Sequence, residues 1–244
     1  MSSLFAELDY QVTPLGTLIL RRRRDLSNGQ DVFEIKLNDE FLMSSKFTAS
    51  EEYLGRVPLK DLDGERLDVV VGGLGLGYTA VAALEDPRVD RLLVVEALQP
   101  VIDWHQSGLL PLGPVLSQDD RCRLVHGDFF ALARHPEVGF NQDAPGAKVH
   151  AILLDIDHSP HELLNPSNAS FYTENGLTLL AQHLVLNGLF ALWSNNPPQP
   201  AFTARLKAVF GSAEAHDVVF DNPLQGNQAR QGIYIARRQS GDAG

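Results

Sequence analysis

The chain has 244 residues, with 20 Lys and Arg against 31 Asp and Glu, a net charge of −11, and hydrophobic and charged shares of 44% and 21%. At about 150 residues per domain this is one large domain, or one domain with a small appendage, and the composition excludes a disordered, collagen-like or disulfide-stapled chain. The acidic balance argues against a nucleic-acid partner, whose affinity comes from phosphate neutralisation, and suits a cationic substrate better.

Residues 1–60 read as a small N-terminal β lobe. Leu15–Leu20 is an apolar run of β-formers, and the four arginines Arg21–Arg24 that follow it read as a charged sheet edge or an anion contact. Asn28-Gly29 marks a turn, Val32–Leu37 alternates apolar and polar residues, Asn38-Asp39-Glu40 marks a second turn, and Phe41–Ser45 is a third strand. Residues 61–240 then change to strand–helix alternation. Leu67–Val71 and Arg91–Val95 are continuous apolar runs, as expected of strands buried on both faces. Arg121–His126, Val149–Leu154 and Leu189–Trp193 are further strands. Helices are predicted over Tyr78–Leu84, Pro100–Ser107, Phe129–Arg134, Thr173–Leu184 and Gln199–Phe210. The last two strands, Asp217–Phe220 and Gly232–Ala236, follow each other and pair as an antiparallel hairpin. This pattern predicts an α/β protein with a doubly wound seven-stranded sheet, Rossmann-like, laid out as in class I S-adenosylmethionine-dependent transferases. Cys122 is alone, so neither an internal disulfide nor a thiolate zinc cluster forms. No signal peptide or membrane-spanning run is visible, so a cytoplasmic protein is expected, and the sequon at Asn168 reads as chance.

In such a sheet, ligands bind at the carboxyl ends of the strands, where the strand order reverses. The first strand of the alternating region runs into Gly72-Gly73-Leu74-Gly75-Leu76-Gly77, and Gly73, Gly75 and Gly77 let the backbone approach a ligand closely. The GxGxG spacing is not the GxGxxG of dinucleotide enzymes, since Leu74 and Tyr78 break the frame. Glu96 stands 19 residues after Gly77, at the next strand end, where a carboxylate accepts hydrogen bonds from ribose hydroxyls. Gly127-Asp128 ends the third strand; the acid suits an exocyclic adenine amine, or caps the following helix. Asp155-Ile156-Asp157-His158-Ser159-Pro160 ends the fourth and is the expected seat of the reaction. Asp155, Asp157, His158 and His161 also make a thinkable Mn²⁺ or Zn²⁺ set, but the strand-end aspartate is already accounted for, so no metal is expected. Trp104, Trp193 and Phe171 read as core or pocket wall.

From about Phe33 to Arg237 these motifs resemble the spermidine synthase (polyamine aminopropyltransferase) family, as a divergent member. The family's GGGDGG loop reads GGLGLG here, and its Asp-Ser-Ser-Asp-Pro signature resembles Asp155–Pro160 with one extra residue. The resemblance implies decarboxylated S-adenosylmethionine as co-substrate, a small-molecule amine as acceptor, Asp155 as the base, Asp157 holding the cationic amine, and Glu51, Glu52 and His158 near the substrate. It also implies a homodimer. Three departures stand out. The family's loop acid falls on Gly75, its tyrosine before two acidic or polar residues is lost at Ser50-Glu51-Glu52, and its late Pro-Thr-Tyr-Pro segment is replaced by residues 221–225. Methyl transfer from intact S-adenosylmethionine and non-catalytic nucleoside binding are therefore carried as alternatives.

Overall fold

A computed structural model of the protein describes residues 4–222 and 227–239. The N-terminal sheet is an antiparallel meander of β1 (Phe5–Thr13), β2 (Gly16–Arg24), β3 (Asp31–Leu37) and β4 (Glu40–Ser44), in that spatial order. Asn38 turns the β3–β4 corner at φ 55°, and Gly29 turns the β2–β3 corner at φ 73°. Leu18, Leu20 and Ile35 bury one face. Sequence patterning did not single out β1, so the arginine strand is central rather than an edge. Its charges are paired: Glu34, 4% exposed, lies between Arg21 and Arg23 at 2.7 and 2.8 Å, and Arg22 and Arg24 face Asp31.

The β reading of the first 60 residues ends at Ser44. Ala49–Lys60 is a helix, α1. Gly55 and Pro58 obscure its helical signal in the sequence, and the structure shows what the glycine is for. A Cβ at Gly55 would stand 2.5 Å from the Thr79 carbonyl oxygen, so its absence lets α1 cross tightly over α2 (Tyr78–Leu84).

The remaining elements are β5 (Leu67–Gly72), β6 (Val89–Glu96), α3 (Gln99–Gln106), α4 (Gly113–Gln118), β7 (Cys122–His126), α5 (Phe129–Ala133), β8 (Val149–Leu154), α6 (Glu174–Ala181), β9 (Leu184–Ser194), α7 (Pro200–Phe210), β10 (Gly211–Asn222) and β11 (Asn227–Arg238). A 3-10 turn, Pro166–Tyr172, precedes α6. The predicted helix through Leu184 stops earlier, because Thr173 caps its start and Leu184 already pairs with Val149 of β8. Pro223, Leu224 and Gln225, in the segment read as an altered polyamine contact, lie outside the described residues.

The strands order as β10-β11-β9-β8-β5-β6-β7. Parallel pairing runs from β9 through β7, and β11 is antiparallel to both its neighbours. This is the class I methyltransferase-like layout expected from the sequence. One face packs an aliphatic core that continues into the N-terminal sheet. The other packs a mainly aromatic one, with Phe129, Phe171, Phe190, Phe202, Phe210 and Tyr234 at or below 2% exposure. Chain order reverses between β5 and β8, which opens a crevice at their carboxyl ends. No helix among the described residues is long and apolar enough to cross a membrane.

Candidate active site

The crevice is built on the Gly72–Gly77 turn. Gly73, Gly75 and Gly77 take φ values of 93°, 48° and 94°, which L side chains rarely adopt. At Gly73 close approach forbids a side chain as well, since a Cβ would lie 2.1 Å from the Asp155 carbonyl oxygen. Gly73→Ala is therefore expected to destabilise the protein by about 2–3 kcal/mol, combining left-handed strain with overpacking. A urea unfolding midpoint equal to the parent's would show that the turn relaxes freely.

Two side chains hold this turn from below. The Glu96 carboxylate accepts the N–H groups of Leu74 at 3.0 Å and Leu98 at 2.9 Å. Burial raises its pKa, and these N–H groups, with those of Gly75 and Ala97, oppose the rise. His105, fully buried, has Nε2 2.9 Å from the Gly75 carbonyl oxygen, so Nε2 carries the proton and donates it. Burial lowers its pKa, which keeps the ring neutral. From above, Met43 of β4 brings its Sδ to 3.1 Å from the Leu76 N–H and to 2.8 Å from the position of a Gly75 Cβ. The space where the resemblance places an acid thus holds a thioether from the N-terminal sheet. Neither His105 nor Met43 belongs to any motif, so the sequence does not flag them.

Asp155 ends β8 beside the turn, its N–H donating to the Gly72 carbonyl oxygen at 2.8 Å. Its carboxylate is half-buried and accepts the Thr79 hydroxyl at 2.7 Å. Burial raises its pKa to about 6, opposed by that hydrogen bond. Glu51, in the first turn of α1, is its acidic neighbour. Burial, and then the charge of Asp155, raise the Glu51 pKa to about 7. Behind Glu51, Ser50 Oγ lies 2.6 Å from Glu51 Oε2, 2.6 Å from Gln231 Oε1 and 2.9 Å from the indole N–H of Trp193. Gln231 in turn donates to Asn195 Oδ1 at 3.1 Å. Elements α1, α2, β8, β9 and β11 therefore converge on one carboxyl pair.

The other predicted residues stand elsewhere. Asp157 is fully enclosed and accepts from the Leu164 N–H at 2.8 Å, the Asn168 amide at 3.0 Å and the Tyr172 hydroxyl at 2.8 Å. That corrects its expected role: a carboxylate surrounded by protein donors anchors the loop after β8 and is not open to an amine. Glu52, partly exposed, accepts from Thr48 at 2.9 Å and pairs with Arg56 at 2.7 Å. His158 contributes its carbonyl oxygen to the Asn195 N–H at 2.7 Å. Gly127 donates to the Glu96 carbonyl oxygen at 2.9 Å, and exposed Asp128 caps α5 by accepting the Ala131 N–H at 3.1 Å. Asn168, the sequon residue, is buried against Asp157. Phe171 lies in the aromatic core. Among the described residues no three His, Cys, Asp or Glu side chains gather to hold a metal ion, so the Asp155–His161 set does not close.

The glycine turn after β5 lies between Asp155 and Glu96 at the ends of the flanking strands β8 and β6, with Asp128 one strand further out. Its crest, under Met43, fits an apolar or soft group better than an ammonium. Solved structures share the whole architecture. A spermidine synthase from Thermotoga maritima superposes with a TM-score of 0.71 at 15% identity, over 95% of this chain and 72% of that one. A spermidine synthase in complex with the transition-state analogue AdoDATO gives 0.72 at 15% identity, over 95% and 73%. A probable spermidine synthase from Corynebacterium glutamicum ATCC 13032 gives 0.61 at 16% identity, over 95% and 79%. At this identity the likeness establishes the fold. No family model and no curated protein matches the sequence.

Proposed function

We propose that this protein is an aminopropyltransferase-like enzyme that joins an amine acceptor to a carbon group carried on a nucleoside sulfonium, with decarboxylated S-adenosylmethionine as the donor. The observation that carries the reading is Asp155, a strand-end carboxylate with raised pKa beside the glycine turn and facing a second acid. The sulfonium donor, when bound, supplies an activated carbon: the amine lone pair forms the C–N bond while the C–S electron pair returns to sulfur. The protein's own part is alignment and proton removal. The turn 73–77 holds the nucleoside, and Glu96 braces that turn by accepting the Leu74 and Leu98 N–H groups. Asp155 takes the proton that the amine must lose, with Thr79 fixing the oxygen that faces α2. The negative charge of the carboxyl pair draws a cationic amine into the crevice.

The pH dependence follows from the raised carboxyls. Asp155 works as a base only when ionised, and its pKa lies at about 6, with Glu51 at about 7. Turnover should therefore fall as pH drops from about 7 to 5, on the acid side of the profile. A kcat profile flat across that range would contradict Asp155 as base.

A second reading, methyl transfer from intact S-adenosylmethionine, is favoured by one observation: Met43 and Gly75 stand where an acid would hold an aminopropyl ammonium. Incubating the full chain with each donor and a panel of diamines, and following nucleoside thioether release by mass spectrometry, separates the readings. Methylthioadenosine with an aminopropylated amine supports the first. S-adenosylhomocysteine supports the second.

A further inference from the structure

Glu51 and Asp155 meet in a buried crevice, and among the described residues neither carboxyl has a cationic partner. Thr79 Oγ1 touches both residues, and a buried carboxyl beside a half-buried one disfavours ionisation of both together. The hydrogen-bond geometry decides which keeps the proton. Thr79 has one hydroxyl proton, and the shorter contact, 2.7 Å, gives it to Asp155, against 3.3 Å to the Glu51 carbonyl oxygen. That favours ionised Asp155. Ser50 also has one proton, yet it lies 2.6 Å from two oxygens, Glu51 Oε2 and Gln231 Oε1, while Trp193 fills one of its acceptor sites. Gln231 presents its oxygen because its amide nitrogen donates to Asn195. With the Gln231 amide in this orientation, one of the two short contacts at Ser50 brings its own proton, and Glu51 is the group there that carries one; a reversed Gln231 amide would instead donate to Ser50 and leave Glu51 ionised, the outcome that Ser50→Ala separates.

We propose that Glu51 and Asp155 share a single proton at neutral pH, that it resides on Glu51, and that Ser50 holds it there by accepting from Glu51 and donating to Gln231. Ser50, Trp193 and Gln231 are thus positioning residues. They leave Asp155 as the one free base, and the crevice with a single negative charge matched to a single ammonium. The significance for catalysis rests on the reading of Asp155 given above; the proton's location does not. Burial raises both pKa values, whereas a hydrogen bond donated by Ser50 to an ionised Glu51 lowers that of Glu51, so the direction of the Ser50 contact is what the test must read. The other titratable groups around Glu51 are Glu52 and Tyr78 on α1 and α2. From β9 and β11 the facing groups, Trp193, Asn195 and Gln231, do not titrate.

The test is an infrared pH titration of the full chain, following the carbonyl stretch of a buried carboxylic acid. The parent should show this band at pH 6, and Glu51→Gln, which keeps the shape and the neutral charge, should lose it. In Asp155→Asn the band should persist with a lower midpoint, because the opposing charge is gone. Ser50→Ala gives the sign. Loss of a proton acceptor lowers the Glu51 midpoint, by about half a pH unit or more, whereas loss of a donor to an ionised Glu51 would raise it. A rising midpoint in Ser50→Ala, or no band in the parent at pH 6, overturns the proposal. Circular dichroism of each variant checks that it is folded, and Glu51→Gln alone decides the band's origin if Ser50→Ala is not. The titration needs no turnover. A protein with the band but no donor binding would refute the proposed function and leave the proton assignment standing.

Discussion

Asp155→Asn is expected to reduce turnover by about 10²–10⁴-fold, the usual contribution of a positioned general base, while nucleoside binding stays nearly unchanged. The two effects separate because of geometry. An asparagine fits the same space, and its carbonyl oxygen still accepts from Thr79, which sits 2.7 Å from the present carboxylate. The backbone contact from residue 155 to the Gly72 carbonyl oxygen is also kept. What is lost is the ability to take a proton from an incoming ammonium. Single-turnover rates and binding titrations on the same preparation measure the two effects independently. Parent-level turnover would remove Asp155 as the base. An equal loss of binding and rate would instead assign it to holding the nucleoside.

Asp157→Ala is expected to act on stability rather than on chemistry, destabilising the fold by about 3–5 kcal/mol. The carboxylate is fully buried, and its removal leaves the Leu164 N–H, the Asn168 amide and the Tyr172 hydroxyl without their acceptor. Each unsatisfied buried donor costs about 1–3 kcal/mol, partly recovered by local relaxation or entering water. The Tyr172 ring packs against Phe130, Phe171 and Phe202, so the damage reaches the aromatic core. Chemical denaturation at neutral pH measures the change. A loss below about 1 kcal/mol, with turnover impaired, would return Asp157 to the reaction.

The frame of the protein was legible because it is periodic. Buried parallel strands read as apolar runs at Leu67–Val71 and Val149–Leu154, and the glycine run marked the turn between β5 and α2. Helix α1 was hidden because its glycine and proline, which suggest a break, serve a tight crossing against Thr79. Within the site, residues at strand ends were readable, since topology alone brings them to the crevice. Partners that arrive from elsewhere in the chain were not. Met43 reaches the glycine turn from a different sheet, and Gln231 reaches Ser50 across 181 positions. Asp155 and Asp157 look equivalent in sequence, two residues apart after β8. Only the folded chain shows one opening to the crevice and the other enclosed by Asn168 and Tyr172.

The central claim is that the turn 73–77, Glu96 and Asp155 form a site for a nucleoside sulfonium. Calorimetric titration of the full chain with decarboxylated S-adenosylmethionine, intact S-adenosylmethionine and methylthioadenosine, in parallel, tests it most directly. Saturable binding of all three is expected, tightest for the decarboxylated donor, and weakened by about 1–3 kcal/mol in Glu96→Ala, which takes from the turn the acceptor of the Leu74 and Leu98 N–H groups. Tighter binding of the intact donor would move the assignment to methyl transfer on this scaffold, and no binding of any of the three would contradict the account.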